Sequence, residues 1–225
     1  MAETRSALVR GEEVADGTMA FHFARPPGFV FQAGQNVLLT LAGVEENRTF
    51  TIASAPHEEA LMVATRMRDS AFKNHLKALA PGAAAEIDGP NGVMVLHDDA
   101  SRPAVFIAGG IGITPFLSML RDARHRSLRH PITLFYSNRR ASSAAFLAEL
   151  QALEKAHAGL HLVSTLTDAG GERIGEGLLR RHVADLREPV YYLAGPPGMT
   201  MDTQGMLAGA GVAPDDIHSE EFYGY

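Results

Sequence analysis

No cysteine occurs among the 225 residues. Its absence excludes disulfides, thiolate nucleophiles and cysteine-ligated iron–sulfur clusters, so any redox chemistry must use a bound organic cofactor. An excess of positive charge is missing too. The 20 Lys and Arg stand against 26 Asp and Glu, a formal charge of -6, and the phosphates of nucleic acid or of an anionic membrane would on average be repelled. Neither is expected as a partner. There is no Gly-x-Ser-x-Gly elbow and no Gly-Lys-Ser/Thr phosphate loop, which sets aside hydrolase and nucleoside-triphosphatase readings. The 10 histidines are scattered along the chain, and no metal site is expected. The opening "MAETRSALVRGEE" is charged and lacks an apolar core, so a cytoplasmic location is the expectation.

What is present falls into two rhythms. Residues 1–98 carry short alternating segments, "TMAFHFA", "NVLLTL", "RTFTIAS", "LMVATRM", "AAEIDGP" and "GVMVLH", divided by turn residues. Such runs predict an antiparallel sheet closing into a barrel or a sandwich. One helix interrupts it in "SAFKNHLKALAPG", where Phe72, Leu76 and Leu79 recur at helical spacing before Pro81-Gly82. The polar "HDDASRP", residues 97–103, reads as a linker. From 103 to 225 the apolar strands "AVFIAGG", "ITLFYS", "LHLVSTLT" and "VYYLAG" alternate with amphipathic helices, which predicts a parallel sheet covered on both faces. The uncharged run 103–120 has the length of a membrane span, but Gly109, Gly110, Gly112 and Thr114-Pro115 read as strand, turn and new helix.

Three segments carry chemistry. In "AGGIGITPF" the glycines permit a tight turn, with Thr114 as expected N-cap and Pro115 as first helical residue; the backbone N–H groups of a helix start and the helix dipole suit a pyrophosphate. "YYLAGPPGMT" supplies a second glycine-rich strand-to-helix turn, and two such turns at the carboxyl ends of parallel strands would face one crevice. In "RTFTIAS" period two puts Arg48 and Phe50 on one face and Thr51 on the other, so a flat ligand could lie along the strand. An ordinary half-buried strand with a surface arginine is the open alternative.

Taken in order, Arg48-Thr49-Phe50-Thr51, "DGPNG", "GGIGITPF", "AGPPGM" and a terminal Glu-x-aromatic resemble the ferredoxin–NADP reductase superfamily along nearly the whole chain. The resemblance implies an antiparallel β-barrel flavin domain, residues 1–98, followed by an α/β nucleotide-binding domain, residues 103–225. It implies FAD as the usual flavin and NAD(P)H as the hydride donor. The activity implied is that of a flavoprotein oxidoreductase passing electrons to a separate acceptor such as a ferredoxin, a flavodoxin or an oxygenase component. A flavin- or nucleotide-binding sensing subunit with little turnover of its own is the alternative.

The resemblance also implies roles. Arg48, with Thr49 beside it, neutralises the flavin pyrophosphate; the Phe50 ring lies against the isoalloxazine; the Thr51 hydroxyl bonds flavin N5. The backbone of Val63, Ala64 and Thr65 borders the flavin, and the helix start near Lys73 and Asn74 receives the pyrophosphate. On the nucleotide side Gly109, Gly110, Gly112, Thr114 and Pro115 form the phosphate turn, and Gly195, Pro196 and Met199 border the nicotinamide. Asn138 with Arg139 or Arg140 meets the ribose or a 2′-phosphate, and Phe146 either stacks on adenine or packs in the core. Ala194 stands where many members carry cysteine, Ile111 replaces a common threonine, and "STLT" lacks a Ser-Arg pair, which leaves NADH or NADPH preference open. Glu220 and Phe222 match the terminal glutamate and the aromatic that covers the isoalloxazine, with Tyr223 or Tyr225 extending that cover.

Overall fold

The computed structural model describes residues 4–223; the expectation for Tyr225 lies outside them. The first sheet contains β1 (Thr4–Ala15), β2 (Thr18–Ala24), β3 (Asn36–Leu41), β4 (Asn47–Thr51), β5 (Ala60–Arg66) and β6 (Ala84–Asn91). Its order is β4-β3-β6-β1-β2-β5, and every pairing is antiparallel. The edge strands β4 and β5 curl toward each other, giving the barrel form. Alternation works here as expected: Phe21, Phe23, Val37, Leu39, Val63 and Ile87 point into one core. The end of that core is stopped by α1 (Ala71–Ala78), which buries Phe72 and Leu76 and is capped by the Ser70 hydroxyl accepting from Lys73 N–H at 3.3 Å.

"GVMVLH" forms no strand, contrary to its alternation. The chain leaves the first sheet at Asn91, and Met94 instead packs into the core of the second sheet beside Leu96. That crossing ends at His97, whose backbone N–H and ring both bond the Tyr192 hydroxyl, at 2.9 and 3.0 Å.

The second sheet has the order β11-β10-β7-β8-β9 and is parallel throughout. Its strands β7 (Ala104–Gly109), β8 (Ile132–Asn138), β9 (Leu160–Leu166), β10 (Val190–Gly195) and β11 (Ile217–Glu221) are separated by α2 (Thr114–His125), α3 (Leu147–Ala156), α4 (Glu176–His182) and α5 (Pro197–Gly209). The apolar run 103–120 is therefore β7, a turn and the first half of α2. Both faces are covered: Phe106, Tyr136 and Tyr192 enter one core, and Val105, Ile107, Phe135 and Tyr191 the other. Among the described residues no helix is long and apolar enough to cross a membrane.

The two sheets are tied along a seam. Asp16 N–H donates to the Ser142 carbonyl at 2.8 Å, and the Ser118 hydroxyl donates to the Ser54 carbonyl at 2.7 Å. Arg121 on α2 forks onto Glu149 at 2.7 and 2.9 Å and reaches Glu58 of the barrel at 3.3 Å. Burial opposes the charge on Arg121, yet these two carboxylates hold its guanidinium pKa above the ordinary value. The basic stretch 121–130 thus opens with a cross-strut.

Candidate active site

The glycine turn after β7 is a 3₁₀ turn, residues 110–113, leading into α2. A Cβ on Gly112 would sit 2.2 Å from the Ala194 carbonyl oxygen, so only glycine lets this turn lie on the end of β10. The two glycine-rich turns therefore share one cleft, as their spacing predicts. It has a volume of about 530 Å³ and is lined by Gly109, Gly110, Asn138, Arg139, Pro196 and Met199 among others. Arg66, Arg68, Arg139 and Arg173 face it against a single carboxylate, Asp202. Arg139 and Arg173 follow strands of the parallel sheet, Arg66 and Arg68 come from the end of β5 in the barrel, and together the four guanidinium groups suit an anionic, phosphate-bearing ligand.

One expectation needs correction. Thr114 is not the N-cap: it is already helical and buried, and its hydroxyl bonds the Ile111 carbonyl at 3.1 Å, because the 3₁₀ turn moves the helix start. Thr114 and Pro115 lie behind the cleft lining, as does Gly112. Phe146 lies away from that cleft. It is partly buried against the core and lines a separate groove with Val14, so core packing is its role.

On the barrel side, β4 and β5 are the edge strands, whose outer backbone groups are not used by a neighbouring ladder. Arg48 and Thr49 are exposed, Arg48 pairing with Glu46. Phe50 is nearly buried, its ring 5.9 Å from that of Phe72. Thr51 is buried, as are Val63, Ala64 and Thr65 of β5. Lys73 donates to the Arg66 carbonyl at 2.8 Å, while exposed Asn74 is bonded to Asp69. The Lys73 ammonium is held below its usual pKa by burial, then by Arg68 and Arg48. Three cations crowding the start of α1 is an arrangement that a bound pyrophosphate would relieve, and the residues fit a flavin nucleotide in this respect.

The tail joins the halves. β11 pairs in parallel with β10, placing Glu220 opposite Ala194, and Phe222 N–H donates to the Gly195 carbonyl at 2.9 Å. Glu220 Oε1 accepts from Asn36 Nδ2 at 2.9 Å, and Oε2 lies 3.5 Å from the Thr51 hydroxyl. Burial raises the Glu220 pKa, and the Asn36 and Thr51 bonds oppose the rise. Phe222 is partly buried against the core; Tyr223 is exposed, its hydroxyl on Glu221.

Asn36, Arg66, Arg68 and Arg173 were not among the expected site residues. The "TRMRD" run before α1 is a signal for Arg66 and Arg68, cations placed just ahead of a helix start. Nothing local marks Asn36 or Arg173. Glu154, His157 and His161 stand at spacings known from helical metal sites, but α3 ends at Ala156 and His161 is on β9. Among the described residues no three such groups gather.

Fold and cleft together define a reductase-type oxidoreductase with a nicotinamide-nucleotide half: residues 106–205 match the oxidoreductase NAD-binding domain family. A ferredoxin–NADP reductase B from Sorangium cellulosum is 30% identical over 200 residues, 87% of this chain and 82% of that protein. A terephthalate 1,2-dioxygenase reductase component from a Comamonas species is 26% identical over 201 residues, and this chain spans 59% of its length. The crystal structure of a ferredoxin NADP+ reductase from Neisseria gonorrhoeae with bound FAD and NADP superposes with a TM-score of 0.86 at 21% identity, covering 98% of this chain and 99% of that one. The chain belongs to the ferredoxin–NADP reductase superfamily.

Proposed function

We propose that this chain carries hydride from NAD(P)H to FAD and passes the electrons to a separate redox protein, a ferredoxin, a flavodoxin or an oxygenase component. As a member of its superfamily it is an NAD(P)H-dependent flavin reductase whose cofactors are FAD and NAD(P)H. One observation carries the reading of the site: Glu220, on the nucleotide sheet, bonds Asn36 and Thr51 on the barrel. A barrel edge with crowded cations and a cleft with four arginines thereby meet at one seam.

In this reading the division falls at the linker 97–103. Arg48, Lys73 and the α1 start hold the flavin pyrophosphate, with Thr49 and Asn74 alongside and the β5 backbone at Val63, Ala64 and Thr65 along the ring. Phe50 supports the ring from the barrel core. Gly109, Gly110 and Arg139 bind the nicotinamide nucleotide with Asn138, while Gly195, Pro196 and Met199 border its reacting end. FAD, when bound, supplies hydride acceptance and one-electron release. Thr51 orients the reacting edge through its hydroxyl, Glu220 holds a proton at Oε2, and Phe222 keeps water from the seam. Orientation of two bound partners supplies much of the barrier reduction.

Anaerobic mixing of the purified chain with NADH or NADPH tests this. Rapid bleaching of flavin absorbance is expected, followed by reoxidation on adding a ferredoxin, a flavodoxin or an oxygenase component. A colourless protein that takes up neither FAD nor FMN would sink the reading.

A further inference from the structure

We propose that Asn36 is the positioning residue of this seam: its side-chain amide fixes Glu220 Oε1 so that Oε2 is left facing Thr51. The inference rests on the functional reading only for the meaning of that proton site; the geometry stands by itself.

Asn36 begins β3, lies opposite Thr51 in the β3–β4 ladder and opposite Asn91 in the β3–β6 ladder, and is 8% exposed. Its amide donates at 2.9 Å to a carboxylate 184 residues later in the chain, on the other sheet. The Thr51 contact, at 3.5 Å, is the weaker of the two. The strong donor therefore decides where the carboxylate sits, and the hydroxyl meets the oxygen that remains. Among the described residues no cation is bonded to the Glu220 carboxylate, whose partners are an amide and a hydroxyl.

A second observation comes from the "DGPNG" segment, residues 88–92. Gly92 has φ +86, and a Cβ built on it would lie 2.7 Å from Asn36 Nδ2. The segment leaves this one space clear, and the amide occupies it. Gly92 thus makes room for the orientation that reaches Glu220, which gives the motif a purpose that turn geometry alone does not. Burial lifts the Glu220 pKa and the amide opposes it, so the amide also decides how far toward neutrality the carboxyl titrates.

The test is the titration midpoint of Glu220 in the full chain, read by carboxyl 13C NMR with and without FAD and assigned with Glu220→Gln. Asn36→Ala should raise the midpoint by about one pH unit through loss of a donor to the charged form. Asn36→Asp, equal in size but without the donor, should raise it further by setting one carboxylate against another. Gly92→Ala should move it in the same direction by pushing the amide aside. The acid limb of the pH profile of NAD(P)H-driven turnover should follow the midpoint.

A packing role would rank the variants the other way, with Asn36→Asp near the wild type and Asn36→Ala worst. Unmoved midpoints in Asn36→Asp and Gly92→Ala, with folding intact by circular dichroism, would overturn the proposal. If Asn36→Ala does not fold, those two decide. A chain that refuses flavin while its midpoints shift as described would defeat the functional reading and leave this assignment standing.

Discussion

The two sheets place their chemistry by opposite means. In the parallel sheet β7 and β10 are buried along their whole length, and the cleft lies where strands end and helices begin, at Gly109–Gly110 and Pro196–Met199. In the barrel, the proposed flavin site runs along the sides of strands, on the edges β4 and β5. A strand buried on both faces can offer a ligand only its ends, whereas an edge strand offers its backbone along its length. The seam is where an end, β11, is set against a side, β4.

Removing a large ring from either core should break one means and spare the other. Phe106 stacks on Phe116 at 4.7 Å and meets Tyr192 edge-on, so Phe106→Ala should cost about 4 kcal/mol; Phe72→Ala should cost a similar amount in the barrel. In urea unfolding, Phe72→Ala is expected to lose flavin first and Phe106→Ala to lose NAD(P)H binding first. Loss of both ligands together in both variants would mean that the sheets unfold as one unit.

Arg121→Met should cost roughly 3 kcal/mol, because Glu149 and Glu58 are left partly buried without their cation. Its effect should fall on both halves at once, seen as a lower midpoint in thermal unfolding with no change in barrel or nucleotide spectra at low temperature. In the cleft, Arg139→Ala should raise KM for NAD(P)H about tenfold with kcat little changed, as expected for a contact made equally before and during reaction. Equal losses in kcat would move Arg139 out of simple binding.

The smallest effect is one of pH. A folded Glu220 pKa above its unfolded value means the folded state binds more protons, so that contribution to stability is full below the unfolded pKa and fades as pH rises through the folded one. Glu220→Gln removes this dependence. Relative to the variant, the wild type should lose stability as pH rises across that window, measured as thermal midpoints at stepped pH. A flat difference would deny the raised pKa.

Much of this was legible in the sequence, for definite reasons. β2 and β3 alternate because one face is wetter than the other, whereas β5, β7 and β10 read as largely apolar runs because both faces are dry. β1 was hidden: of its 12 residues only Leu8 is buried, so no period appears. β11, with Ile217, His218 and Glu220 only half-buried, was hidden in the same way, although its Glu-x-aromatic spacing marked it as important. "GVMVLH" misled because Met94 and Leu96 serve the opposite sheet while Val93 is exposed. Arg48, Thr51 and the glycine turns announce themselves locally. Asn36 does not, since its partner lies on another sheet and no spacing rule reaches that far.

α2 starts from the glycine turn that borders the cleft and grips the barrel midway along its length, its Ser118 and Arg121 fastened to Ser54 and Glu58. Ties at those points resist rotation of one half against the other. Under the proposed function, room for a nicotinamide ring would then be made locally, by side chains such as Phe222 stepping aside, rather than by a swing of domains.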